Sequence, residues 1–286
     1  MAVSNSATSR AIYRGMDRAA LDAAYNNAAA VADSQDWLAR WRERSARVRA
    51  GAGARLDVAY GPKPRTRLDY FASGVARAPL FVFIHGGYWQ RNEKEPFCFV
   101  AEGPRPHGID VALVGYTLAP QARLRDIVAE IFLSLTFLAE HAHDFGFDAR
   151  RIYVGGWSAG GHLTAAVADH PAFRGGMPIS GIFDLEPIAL TYLNEKVMLD
   201  TAEVADLSPL RRIGAAMPAL RISVGGDELP ELVRQSSEYA AALRARGLPA
   251  QLSVLAKHNH FSILEEIAAP DGALTRELVA LIAATS

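Results

Sequence analysis

The chain has 286 residues, half of them hydrophobic, with 30 basic and 31 acidic side chains and a formal net charge of −1. That length supports a full hydrophobic core in one or two domains, and so even a balance gives no basic field to attract nucleic acid or an anionic membrane. No run of about 18 apolar residues occurs, the opening MAVSNSATSR has no signal-type apolar stretch, and the single cysteine, Cys98, cannot form an internal disulfide. A cytoplasmic protein with a small-molecule partner is therefore expected, with Cys98 buried as a small apolar residue between aromatics.

In chain order, the first ten residues read as unordered. Residues 16–50, MDRAALDAAYNNAAAVADSQDWLARWRERSARVRA, place apolar side chains three and four apart, as on amphipathic helices. Asp33 and Ser34 can cap the second of these, which ends near the GAGA of 51–54. Such a helix could cover the chain's own core or a partner subunit, so a homodimer stays open. The texture changes at residue 55: RLDVAYG and TRLDYFAS alternate as two short strands around a proline-containing turn. APLFVFIHGG, IDVALVGYTLAP, RIYVGGWS, MPISGIFD, ALRISVGGD and QLSVLAKHN then read as strands buried on both faces. Helical stretches near 123–144, 159–169, 230–246 and 261–283 separate them. That alternation predicts an α/β fold whose mostly parallel eight-stranded sheet is covered by helices on both faces. Residues 1–54 form a helical extension packed on the core, residues 55–286 the main domain, and about 184–214 a small helical insertion over the strand ends.

Three segments carry chemistry. Gly156-Trp157-Ser158-Ala159-Gly160 is a G-x-S-x-G, weak as a pattern but placed between a buried strand and a helix. A nucleophilic serine needs that placement: a sharp turn exposes its hydroxyl, glycines let strand and helix approach, and the helix N-terminus favours a developing anion. FIHGGYW, residues 83–89, ends another buried strand. Its glycine-rich turn can aim backbone N–H groups at a carbonyl oxygen turning negative. Gly87, Tyr88 and Ala159 are the expected oxyanion donors, with Gly86 as a substitute, while His85 braces the loop. The base lies after the last strand, where His260 is preferred over His258. The acid lies after the strand before it, where spacing leaves Asp227 and Glu228 as alternatives and Glu228 is preferred. No convergent cysteine or carboxylate set accompanies His141 and His143, so neither reads as a metal ligand.

With Ser158, Glu228 and His260 in that order along the chain, residues from about 55 onward resemble the α/β-hydrolase superfamily. HGGYW, YTLAP, GGWSAGGHL, SGIFDLEPI, LSPL, VGGDELPELVRQS and HNHFSIL are similar to the serine kynurenine formamidases, or arylformamidases, and their bacterial esterase relatives. YRGMDRAALDAAYNN is similar to the bacterial members. The resemblance implies Glu228 as the acid and His260 as the base. It also implies Tyr88 and Trp89 on the acyl side of the pocket, the insertion as the other wall, and Tyr192 within it as a substrate contact. A Ser-His-acid hydrolase acting on an ester or N-formyl amide through an acyl-enzyme follows, with no metal or organic cofactor required. The alternatives are a broad carboxylesterase or xenobiotic amide or carbamate hydrolase, and a non-catalytic homologue that binds a small ligand.

Overall fold

A single eight-stranded sheet organises the computed structural model, which describes residues 10–51 and 53–285. The unordered start expected of the first ten residues lies, Arg10 aside, outside the described residues. The strands are β1 (Ala54–Ala59), β2 (Arg67–Phe71), β3 (Ala78–Ile84), β4 (Asp110–Val114), β5 (Phe147–Trp157), β6 (Phe173–Ile179), β7 (Ala219–Gly225) and β8 (Ala250–Leu255). Across the sheet they run β1-β2-β4-β3-β5-β6-β7-β8. β2 is antiparallel to both β1 and β4, and the remaining neighbours are parallel. This is the α/β-hydrolase fold.

Strand periodicity divides the core in two. In β3, Leu80, Val82 and Ile84 enter one cluster while Phe81 and Phe83 enter the other. β4 does the same with Ala112 and Val114 against Val111 and Leu113. Successive side chains point to opposite faces, so a strand with apolar residues at every position must be covered on both. The first face lies under the helices Leu124–Glu140, Ala159–Ala166 and Pro230–Ala245, through residues such as Ile131, Leu163 and Tyr239. The second lies under Ala273–Thr285, the 3-10 segment Glu95–Glu102 and the N-terminal helix Ser34–Arg49. Cys98 is buried there, and burial pushes its thiol up to about 12.

Two expectations change in detail. The last helix is not continuous over 261–283. A 3-10 turn (Ser262–Leu264) and a short helix (Glu265–Ala268) come first, and the chain restarts at Ala273. Pro270 explains the break: it disfavours helical backbone in the residue before it, and Ala269 is extended at φ −89° and ψ 133°. The N-terminal section forms three helices, Arg18–Ala24, Asn27–Ala30 and Ser34–Arg49. Asp17 caps the first by accepting from the Ala20 N–H, whereas Asp33, at the cap position of the third, makes no side-chain cap bond.

This extension covers the chain's own core. Trp41 is fully buried, with ring centroids 5.2 to 5.9 Å from those of Phe97, Phe99, Trp157 and Phe261. The insertion is a chain of short helices, Glu186–Ala189, Asn194–Val197 and Thr201–Leu207. Among the described residues, no helix is long and apolar enough to cross a membrane. β3, β5, β6, β7 and β8 all end at the same edge of the sheet, which is where an open α/β sheet presents a site.

Candidate active site

Ser158 occupies the turn between β5 and the helix Ala159–Ala166, at φ 59° and ψ −118°. A non-glycine residue held there is strained, and the surroundings hold it. Its N–H donates to the Ile179 carbonyl at the end of β6 (2.8 Å). A Cβ on Gly160 would lie 2.0 Å from the Ile84 carbonyl oxygen, and one on Gly156 2.4 Å from that of Gly160. Only glycine at both places lets β3, β5 and the helix close around the serine.

Two strands away, the turn after β7 carries Glu228, and the loop after β8 carries His260. His260 Nδ1 lies 2.6 Å from Glu228 Oε2. Glu228 Oε1 also accepts from Ser180 Oγ (2.5 Å) and from the Gly225 N–H (2.7 Å). Three donors converge on this carboxylate, and since its Oε2 accepts from Nδ1, that nitrogen carries the ring proton and Nε2 is left as an acceptor. The Trp157 indole N–H donates to the His260 carbonyl at 2.7 Å, and its ring lies 4.8 Å from the imidazole. Asp227 is exposed, and its backbone N–H bonds the His258 carbonyl. The alternative left open by spacing is thus resolved geometrically: Glu228 meets His260 and Asp227 does not. His258 Nε2 faces Glu266 at 3.4 Å.

The turn after β3 brings the third group. Gly87, Tyr88 and Trp89 all have positive φ, at 122°, 50° and 58°. The Gly87 carbonyl accepts from the Gln90 and Arg91 N–H groups, which tightens the turn. Among the described residues, the Gly87 and Tyr88 N–H groups have no backbone acceptor. Ala159 opens its helix, where an N–H has no intrahelical partner. Gly86 lies directly beneath, where an added Cβ would sit 3.0 Å from that of Ser158. His85 Nδ1 donates to the Gly86 carbonyl (2.9 Å), and its ring stacks on Tyr116 at 4.3 Å. Burial lowers it to about 4, so it is neutral.

A cavity of about 260 Å³ opens beside these groups, lined by Gly87, Tyr88, Ser158 and His260 together with Asn27 and Leu38 of the N-terminal helices. Trp89 and Tyr192, expected to contact substrate, do not line it. The strained turn sends the Trp89 ring into the core, edge-on to His162 at 5.0 Å. Tyr192 anchors the insertion instead, its N–H donating to Asp22 Oδ1 (2.8 Å). No residue of the insertion lines this cavity, because the N-terminal helices occupy the place where its wall was expected. Among the described residues, no group of three or more His, Cys, Asp or Glu could hold a metal ion.

Sequence reasoning missed Ser180 and Asn27. Ser180 had a weak signal, a polar residue closing a buried strand. Asn27 had only the YNN segment, far from every other site residue in the chain. Its Nδ2 lies 3.0 Å from the Tyr88 hydroxyl and 3.3 Å from His260 Nε2.

Known proteins resemble this chain in sequence and fold. The family model for the prolyl oligopeptidase family matches residues 128–271, and that for BD-FAE matches residues 70–174. The chain is 31% identical over 252 residues to a kynurenine formamidase of Danio rerio, covering 82% of this chain and 84% of that protein. It is 30% identical over 259 residues to a kynurenine formamidase of Salmo salar, covering 84% and 86%. Among solved structures, a proposed thioesterase from Silicibacter sp. TM1040 superposes with a TM-score of 0.83 at 30% identity, over 92% of this chain and 98% of that one. An esterase from Pyrobaculum calidifontis gives 0.73 at 18% identity, over 90% and 96%, and shares the fold.

Proposed function

The chain belongs to the kynurenine formamidase family of α/β-hydrolases and is a serine hydrolase, and from that premise we propose that its own substrates are aryl formamides, N-formylkynurenine among them. In this reading His260 takes the Ser158 proton, and Oγ attacks the formyl carbon. The oxyanion forms among the Gly87, Tyr88 and Ala159 amides, with Gly86 holding the turn against the serine. His260 then protonates the leaving aryl nitrogen, and a water activated by the same ring releases formate. Glu228 fixes the tautomer and stabilises the cation. The carrying observation is the Ser158–His260 edge of the cavity, with Glu228 Oε2 2.6 Å behind the imidazole.

The match to kynurenine formamidases over more than four-fifths of the chain supports a formyl group over larger acyl groups. The partner is then a small-molecule amide or ester, and the cytoplasm is the proposed compartment, supported by a lone buried cysteine. The test compares kcat/KM for N-formylkynurenine and formanilide with that for acetanilide and p-nitrophenyl butyrate, with Ser158→Ala as control. A strong formyl preference that vanishes with Ser158 is the expected result. Equal or faster turnover of the larger acyl groups would replace this reading with a broad carboxylesterase.

A further inference from the structure

The N-terminal extension reaches the reacting atoms through one side chain. Asn27 is 5% exposed and lines the cavity that Ser158 and His260 share. Its Nδ2 has two neighbours, the Tyr88 hydroxyl at 3.0 Å and His260 Nε2 at 3.3 Å. The protons on both are already committed. Tyr88 donates its own to the Tyr25 carbonyl (2.6 Å), and His260 donates from Nδ1 to Glu228. Each neighbour can therefore only accept, so the amide must present its NH₂ to them. That orientation leaves Asn27 Oδ1 buried without a partner, a state that buried polar atoms rarely tolerate. The backbone around it is pinned. The Tyr25 hydroxyl donates to Glu231 Oε2 (2.9 Å) and accepts from Gln235 Nε2 (2.8 Å), both on the helix Pro230–Ala245.

We infer that Asn27 is a positioning residue for the base: its Nδ2 donates to His260 Nε2, holds the imidazole in the Nδ1–H tautomer beside Ser158, and must let go when that nitrogen takes the serine proton. A donor on Nε2 stabilises the neutral ring and opposes the imidazolium. Asn27 therefore sets how basic His260 is at rest. The other titratable or charged groups around the site are Glu228 behind the ring, Tyr88 beside it and Arg91 at the cavity wall, while Trp157 and Phe261 present uncharged faces. Burial holds the Tyr88 phenol far above its ordinary range, so it stays protonated throughout.

The inference rests on His260 as the base and is independent of any formamide preference, so p-nitrophenyl acetate is the substrate. The kcat/KM profile against pH is measured for the full-length wild type, Asn27→Leu and Asn27→Asp. Removing the donor in Asn27→Leu moves the acid-limb midpoint up by about half a pH unit or more. Placing a carboxylate there in Asn27→Asp moves it up by about one to three units. A merely structural role lowers the rate evenly at all pH values and leaves the midpoint in place. That result, or a downward shift, overturns the inference. Asn27→Ala, which also removes the donor, carries the test should Asn27→Leu fail to fold, while Asn27→Asp checks that the side chain reaches the imidazole. His260→Ala separates the premise: if it keeps the wild-type rate and profile, the base assignment fails and the inference with it.

Discussion

Replacing Glu228 by glutamine tests the arrangement at its most charged point. The carboxylate accepts from His260 Nδ1, Ser180 Oγ and the Gly225 N–H at 2.6, 2.5 and 2.7 Å. When Nε2 takes the Ser158 proton, an imidazolium faces that carboxylate. Charge centres roughly 4 Å apart, at an effective dielectric of about 20, attract by about 4 kcal/mol. At 1.36 kcal/mol per decade, this is about a thousandfold in rate. Glutamine removes the charge, and its NH₂ can donate to Nδ1, which moves the ring proton to Nε2 and blocks that nitrogen as a base. The expected outcome is a kcat on p-nitrophenyl acetate lower by about 10³ to 10⁴, with a thermal melt close to wild type. Asp227→Asn, which changes an exposed side chain away from the imidazole, should stay within about twofold. Steady-state kinetics on the two variants decide the matter. Glu228→Gln retaining more than a tenth of wild-type kcat, or Asp227→Asn losing as much, would refute the reasoning.

Stability should fall with acid before the carboxylates titrate. Burial lowers both His85 and His162 to about 4, against an ordinary value of 6.5. Between those values the unfolded chain binds more protons than the folded one, so stability is fully present above pH 6.5 and is lost as the pH falls toward 4. Each ring costs about 2 kcal/mol by pH 5, so urea midpoints measured from pH 7.5 to 5 should decline, and a flat profile contradicts the buried neutral rings. Trp41→Ala should destabilise by about 3–5 kcal/mol in denaturant unfolding, the usual cost of emptying such a site. It should also lower kcat, because Trp41 stacks on Phe261 and meets Trp157 edge-on, beside His260 and Ser158. A loss of stability with kcat unchanged would show that the extension braces the core without bracing the site.

The local signals were strong where chemistry and backbone geometry coincide. Ser158 is legible because a serine on a tight strand-to-helix turn needs Gly156 and Gly160 within five residues. β3 and β4 are legible because strands covered on both faces have no polar alternation. The choice between Asp227 and Glu228 was not local. Two adjacent carboxylates differ by the direction in which one turn points them, and that direction is fixed by Ser180, 48 residues away, and by the loop after β8. Trp89 was placed on the acyl side of the pocket by the family resemblance, yet its backbone at φ 58° sends the ring into the core.

By itself, the sequence determined the α/β alternation, the sheet with its two buried faces, and the identities of serine, histidine and a carboxylate pair, because each depends on periodicity or on motifs a few residues long. The tertiary structure alone decided which segment roofs the cavity, and it supplied the contact between His260 and the carboxylate that the sequence had only preferred, Glu228. Asn27 stands 233 residues from His260 along the chain yet 3.3 Å from it in space, and no pattern within either segment encodes that approach. It is set by how Tyr25 and Trp41 dock on distant elements, the packing of whole surfaces rather than the preference of any short stretch.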